Sequence, residues 1–352
     1  MSPPPPLDVA SLEQFAARAQ ENFSVLSPLT PQRLRPDFSS VYAFCRLADD
    51  LGDDYGLPPG VAPTPEHREA ATHRLGELRA RLRQVIAEGG PSGGPSGRPV
   101  AGPRGESPYP FDPMLLALRD TIERHRVPVG LFEDLLSAFE QDQRVLRYET
   151  WAQLLDYCTR SANPVGRIVL HLLGVISDED RGESALLRCS DAICTGLQLI
   201  NFWQDVRRDL FDLGRIYLPR ELTGWDEGLL REWANRGGDA AARVPFILGL
   251  RPLVDRTEEL FEQGRPLAAM VRERLRSRGG TRSDAYKGAA MIELFRSGGV
   301  AILGRVRATG CATLWHRPRL SRRMKAGLVF KAFMKAWVSP ASPANAMARS
   351  AS

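Results

Sequence analysis

In VYAFCRLADDLGDD, Val41–Asp54, four carboxylates close a run whose apolar residues return every three or four positions. That spacing predicts a helix. On it Tyr42, Arg46, Asp49 and Asp53 share one stripe, while Val41, Phe44, Cys45, Ala48 and Leu51 cover much of the remaining surface. GLQLINFWQDVRRDL, residues 196–210, repeats the design: Gln198, Asn201, Asp205 and Asp209 follow at intervals of three, four and four, flanked by Leu197, Leu199, Ile200, Phe202 and Trp203. Two helices thus each carry a D-x-x-x-D pair on an apolar body.

Electrostatics states what such stripes require. Two carboxylates about 6 Å apart repel by roughly 3 kcal/mol at an effective dielectric near 20, but by less than about 1 kcal/mol in bulk water. Exposed, the stripes are merely solvated acidic faces; buried, they demand a cation. The occurrence of both in one chain favours the second reading. Every candidate ligand is a hard oxygen donor with no His or Cys beside it, which points to Mg²⁺ and, through it, to a phosphorylated substrate. No Glu closes a twelve-residue loop, so an EF-hand does not fit.

Helical periodicity recurs in 115–118, 131–139, 151–158, 165–176, 185–202, 247–261 and 289–306, and SLEQF opens with Ser11 and Gln14 at capping-box spacing. No alternating strand pattern interrupts it, so the expected fold class is all-α. At 43% hydrophobic and 25% charged, 352 residues suffice for a substantial core. The Gly/Pro/Ser-rich segment 88–110 reads as a flexible insertion inside one domain spanning 1–338, with an interdomain linker as the alternative, and 339–352 as a disordered tail. MSPPPPLDVA has no basic region followed by an apolar one, and no apolar run reaches membrane-spanning length, so the expected location is the cytoplasm. Five cysteines (Cys45, Cys158, Cys189, Cys194, Cys311) without a C-x-x-C pair read as reduced core thiols. A net charge of +5 without an aromatic-interleaved basic patch argues against a nucleic-acid partner.

YAFCRLADDLGDD and QLINFWQDVRRDLFDLGRIYLP resemble the two aspartate-rich signatures of the squalene/phytoene synthase family, helical enzymes that ionise isoprenoid diphosphates. The resemblance runs from about Ala16 to Lys325 and implies one large helical bundle around a central apolar cavity. ENFSVLS, YETWAQLLDYCTRSANPVGRIVLHLLG and NFWQDV are most similar to the branch acting on presqualene diphosphate in hopanoid pathways, the hydroxysqualene synthase type. It implies that Asp49 and Asp53, supported by Asp50, hold Mg²⁺ from the first helix, and Asn201, Asp205 and Asp209 from the second. It further implies that Arg46 contacts the diphosphate, that Tyr42 and Gln198 line the site, and that Arg317 is an additional basic residue there. A presqualene diphosphate synthase would be the pathway partner.

The chain departs from the family pattern in two places. Where condensing members show Y-C-x-Y-V-A-G-x-V-G, this chain reads YCTRSANPVG, with Arg160 at the second Tyr position; and Trp203-Gln204 stands where Leu-Arg is common. Both changes favour an enzyme that receives an already coupled substrate. A condensing synthase making squalene, presqualene diphosphate or a phytoene-like product from prenyl diphosphates is the alternative, and a catalytically silent helical scaffold the third reading. The missing G-x-G-x-x-G favours water over hydride as the trap for the cation, although the family's NADPH users also lack that motif. Finally, residues 316–338 mix Arg317, Arg319, Arg322, Arg323, Lys325, Lys331 and Lys335 with Leu328, Val329, Phe330, Phe333, Met334 and Trp337. This is either a basic amphipathic helix for peripheral membrane docking at the inner face or a last bundle helix with a solvated basic side.

Overall fold

The first carboxylate stripe lies on α1 (Arg35–Asp53), which Pro36 starts within its first turn, where a missing N–H costs nothing. The computed structural model describes residues 29–88, 112–177, 184–237 and 239–338, with the side chains of 322, 330 and 333–338 also outside that description. The chain continues through α2 (Pro65–Glu88), α3 (Asp112–His125), α4 (Gly130–Gln141), α5 (Trp151–Ser161), α6 (Asn163–Leu172) and α7 (Ala185–Arg208). There follow α8 (Arg220–Thr223), α9 (Glu227–Asn235), α10 (Ala240–Gln263), α11 (Leu267–Ser277), α12 (Arg282–Ala308) and α13 (Arg322–Val338). Among the described residues there is no strand, only a one-residue bridge between Arg147 and Ile216. The fold is all-α. Each periodic run falls on a helix except the end of 165–176: α6 stops at Leu172 because Gly174 turns the chain at φ 70°. The Ser11–Gln14 capping box and the segments 89–111 and 339–352 lie outside the described residues. A capping box is found instead at Thr150, whose hydroxyl accepts from the Gln153 amide at 3.1 Å while the Gln153 side chain accepts from Thr150 N–H at 3.2 Å.

α7 runs through the middle, packed by α6, α10 and α12, while α1 packs against α2, α3 and α4. Apolar burial forms two lobes. Phe38, Phe44, Leu75, Phe132, Ile168 and Met291 belong to one, and Trp203, Phe246, Phe261, Leu250 and Val306 to the other. Leu197 and Leu328 touch both. α10 and α12 close on α7 with Phe261 wedged between Gly196 and Gly299, where an added methyl would meet its ring. α13 lays Leu328, Val329 and the fully buried Ala332 on this core, as a bundle helix does. All five cysteines are free thiols. No described helix is long and apolar enough to cross a membrane.

Candidate active site

Both carboxylate stripes end at helix C-termini, where unpaired carbonyls already concentrate negative charge. α1 ends at Asp53, and α7 passes at Asp209 into a single π-helical turn, Asp209–Leu213. Gly214, at φ 62°, then reverses the chain; a side chain there would press on the Arg68 guanidinium, 3.1 Å away. This reversal lets Arg215 N–H donate to the Asp209 carbonyl at 2.8 Å and returns the Arg215 side chain beneath the site. Carboxylates so placed need cations, and arginines supply them.

Arg46 spans Asp49 (3.3 Å) and Asp50 (2.5 Å) on its own helix. Arg215 Nη1 donates to Asp53 at 2.6 Å. Arg317 grips Asp205 with two nitrogens, Nη2 at 2.7 Å. Arg208 stands between the stripes, 3.9 Å from Asp53 and 3.9 Å from Asp205. Asp209 is buried beside them. Burial, then the Asp53 charge, pushes the Asp49 carboxyl up to about 7. Burial, then Asp205, raises Asp209 well above the carboxylate range. Against these four arginines stand five carboxylates, Asp49, Asp50, Asp53, Asp205 and Asp209.

Behind Asp53 lies a second buried layer. Arg215 is 2% exposed; its Nε donates to the Asp142 carbonyl (3.0 Å) and its Nη2 to the Tyr55 hydroxyl (2.9 Å), which itself donates to Gln143 (2.6 Å). The Asp142 carboxylate accepts from Tyr157 (2.7 Å) and Tyr217 (2.9 Å) and stands 4.0 Å from Arg215. Burial raises its pKa to about 6 despite Arg215. Tyr217 stacks on Phe202 with centroids 3.8 Å apart, making an aromatic wall next to Asp209 and Arg215. The pocket between them is narrow, about 10 Å³.

A strap, residues 314–321, connects α12 to α13 over the second motif. Leu314 and Leu320 bury its ends, Trp315 Nε1 donates to the Trp233 carbonyl at 3.1 Å, and the buried Gln204 amide donates to the Pro318 carbonyl. Gln204 thereby holds the strap that carries Arg317 onto Asp205. Arg160, on α5, is committed to Asp156 (2.7 Å) and Gln141 (2.9 Å).

Of the residues singled out from sequence, Asp49, Asp53, Asp205 and Asp209 come together around Arg208, and Arg317 joins them. Asp50 and Arg46 form one ion pair at the rim. Tyr42 is buried one turn behind Arg46, Gln198 is half-buried, and Asn201 is exposed a turn before Asp205. Arg208, Arg215, Asp142 and Tyr217 escaped sequence reasoning. Arg208 and Arg215 sit inside the second motif, but their partners on α1 are far along the chain: Arg215 and Asp53 are 162 residues apart.

Among the described residues no group of three or more His, Cys, Asp or Glu side chains stands close enough to grip an ion unaided. The donor chemistry nonetheless fits a hard divalent cation, since every donor is oxygen and burial, followed by the neighbouring carboxylates, raises Asp49 and Asp209. The arginines hold the carboxylates that an ion would take.

The squalene/phytoene synthase model matches residues 16–324. A hydroxysqualene synthase from Zymomonas mobilis is 33% identical over 270 residues, 76% of either chain, and one from Sinorhizobium fredii 30% identical over 259 residues, 73% of this chain and 74% of that one. A solved squalene synthase from Alicyclobacillus acidocaldarius shares 34% identity and superposes with a TM-score of 0.58 over 86% of this chain and 94% of its own. Both carboxylate stripes fall inside the matched region, and a match over so much of the chain leaves no second assignment: it belongs to the squalene/phytoene synthase family.

Proposed function

We propose that the enzyme ionises presqualene diphosphate, supplied by a separate presqualene diphosphate synthase, and releases hydroxysqualene and inorganic diphosphate. The observation that carries this reading is the meeting of both carboxylate stripes at Arg208, with Arg46 paired to the first motif and Arg317 to the second. Two further features support a single, already coupled substrate. Gln204 is committed to the strap and Arg160 to Asp156, so neither supplies a cation for a second diphosphate. The relatives named hydroxysqualene synthase point the same way.

Asp49, Asp53, Asn201, Asp205 and Asp209, with Asp50 in support, would hold Mg²⁺, which when bound neutralises the diphosphate and makes it a better leaving group. Arg46, Arg208 and Arg317 bind and orient the same anion, with Tyr42 and Gln198 lining its approach. The C–O bond breaks heterolytically and its electron pair departs with diphosphate. The resulting cyclopropylcarbinyl cation rearranges between apolar helix walls that exclude bulk water. Water adds to the cation and loses one proton, giving the alcohol.

The test is product analysis by gas chromatography and mass spectrometry after feeding presqualene diphosphate with Mg²⁺, with and without NADPH, and farnesyl diphosphate alone. Hydroxysqualene independent of NADPH, and no C30 product from farnesyl diphosphate alone, is the expected result. Squalene formed only with NADPH, or a C30 product from farnesyl diphosphate alone, refutes it.

A further inference from the structure

We propose that Arg208 is a built-in cation in the charge balance between the two stripes, and that it sets how many divalent ions the site takes and how tightly. The ion's identity rests on the function proposed above; the role of Arg208 rests on geometry. Arg46, Arg215 and Arg317 each close an ion pair of 2.7 Å or less with one motif carboxylate. Arg208 does something different. Its guanidinium stands 3.9 Å from Asp53 on α1 and 3.9 Å from Asp205 on α7, too far for a hydrogen bond to either. One carboxylate from each stripe thus faces the same side chain.

Position adds to this. Arg208 is the last α-helical residue of α7 before the π-helical turn, and its side chain is 48% exposed. It therefore has solvent to move into. A divalent ion lodging between Asp53 and Asp205 needs the place Arg208 now balances, and the displaced guanidinium is free to turn to the diphosphate that arrives with the ion. At about 4 Å, a single and a double positive charge repel even at the dielectric of water by an amount worth more than tenfold in binding.

Wild type, Arg208→Lys and Arg208→Gln are titrated with Mn²⁺, read by electron paramagnetic resonance of the free ion, and with Mg²⁺ by calorimetry. Each titration is run with and without inorganic diphosphate. Without diphosphate, Arg208→Gln should bind Mn²⁺ about tenfold or more tighter than wild type, or take one ion more, and Arg208→Lys should behave as wild type. With the ions bound, Arg208→Gln should hold diphosphate about tenfold more weakly. Circular dichroism confirms that the exposed substitution leaves the helices intact. Equal ion affinity and number in wild type and Arg208→Gln overturns the role of Arg208 alone. No ion binding to any of the three, with or without diphosphate, overturns it together with the metal-dependent reading.

Discussion

Replacing Arg215 by Met strands two carboxylates at once. Asp53 loses its 2.6 Å partner, and the buried Asp142 loses the only arginine placed against it by an ion pair among the described residues. Removing one partner of a buried ion pair costs about 3–5 kcal/mol, because the remaining charge stays desolvated. For 352 residues the unfolding entropy is about 0.7 kcal/mol per kelvin, so the melting temperature should fall by about 4–7 °C. Asp142→Asn isolates the cause. The substituted amide still accepts from a tyrosine hydroxyl but leaves no charge behind, so the double variant should lose about 1–3 kcal/mol less than the sum of the singles. Urea unfolding followed by far-ultraviolet circular dichroism measures this coupling. At pH 8 the Asp142 carboxyl, raised to about 6 by burial, is ionised and the coupling is full; at pH 5 it is mostly protonated and the coupling should shrink. Additivity within about 0.5 kcal/mol at pH 8 would refute the electrostatic link between Arg215 and Asp142.

Asp49→Asn and Asp205→Asn should each lower turnover by about 100-fold or more while shifting the melting temperature little, because both partners, Arg46 and Arg317, are exposed enough to hydrate once released; near-wild-type turnover at saturating Mg²⁺ would sink the site assignment. Far from the site, the buried Asp37 accepts from His125 (2.9 Å) and Arg124 (2.5 Å). Burial alone would raise its pKa, but the His125 hydrogen bond and the charges of His125 and Arg124 hold it below the usual carboxylate value. Its contribution is therefore present at neutral pH and lost as acid protonates it. Asp37→Asn should cost about 2 kcal/mol at pH 7, and the difference from wild type should shrink as the pH falls below the usual carboxylate range. Gly299→Ala should destabilise by about 1–3 kcal/mol, since its methyl would overlap the Phe261 ring and reach within 2.9 Å of Leu197; Phe261→Leu in the same chain should recover most of the loss, as thermal unfolding will show.

Whatever repeats along a single helix was legible in the sequence. The three- and four-residue returns of apolar residues predict helices that are present, and the spacing of Asp49 and Asp53, and of Asp205 and Asp209, places each pair on one face. The departures at Arg160 and Gln204 were visible too, but not what those residues do: one turns to Asp156 on its own helix, the other holds the Pro318 carbonyl. Which face meets which was decided by packing alone. Arg317 and Asp205 are 112 residues apart, Arg215 and Asp53 162 apart, and no local period relates such positions. Asp142 carries no signal at all, because a carboxylate in a helix-end turn reads as exposed until α5 and the segment after the Gly214 reversal bury it among two tyrosines and an arginine. Helix periodicity follows from the backbone's own geometry and so appears in every short stretch. The pairing of charges depends on burial, and burial exists only once distant helices have excluded water from between them.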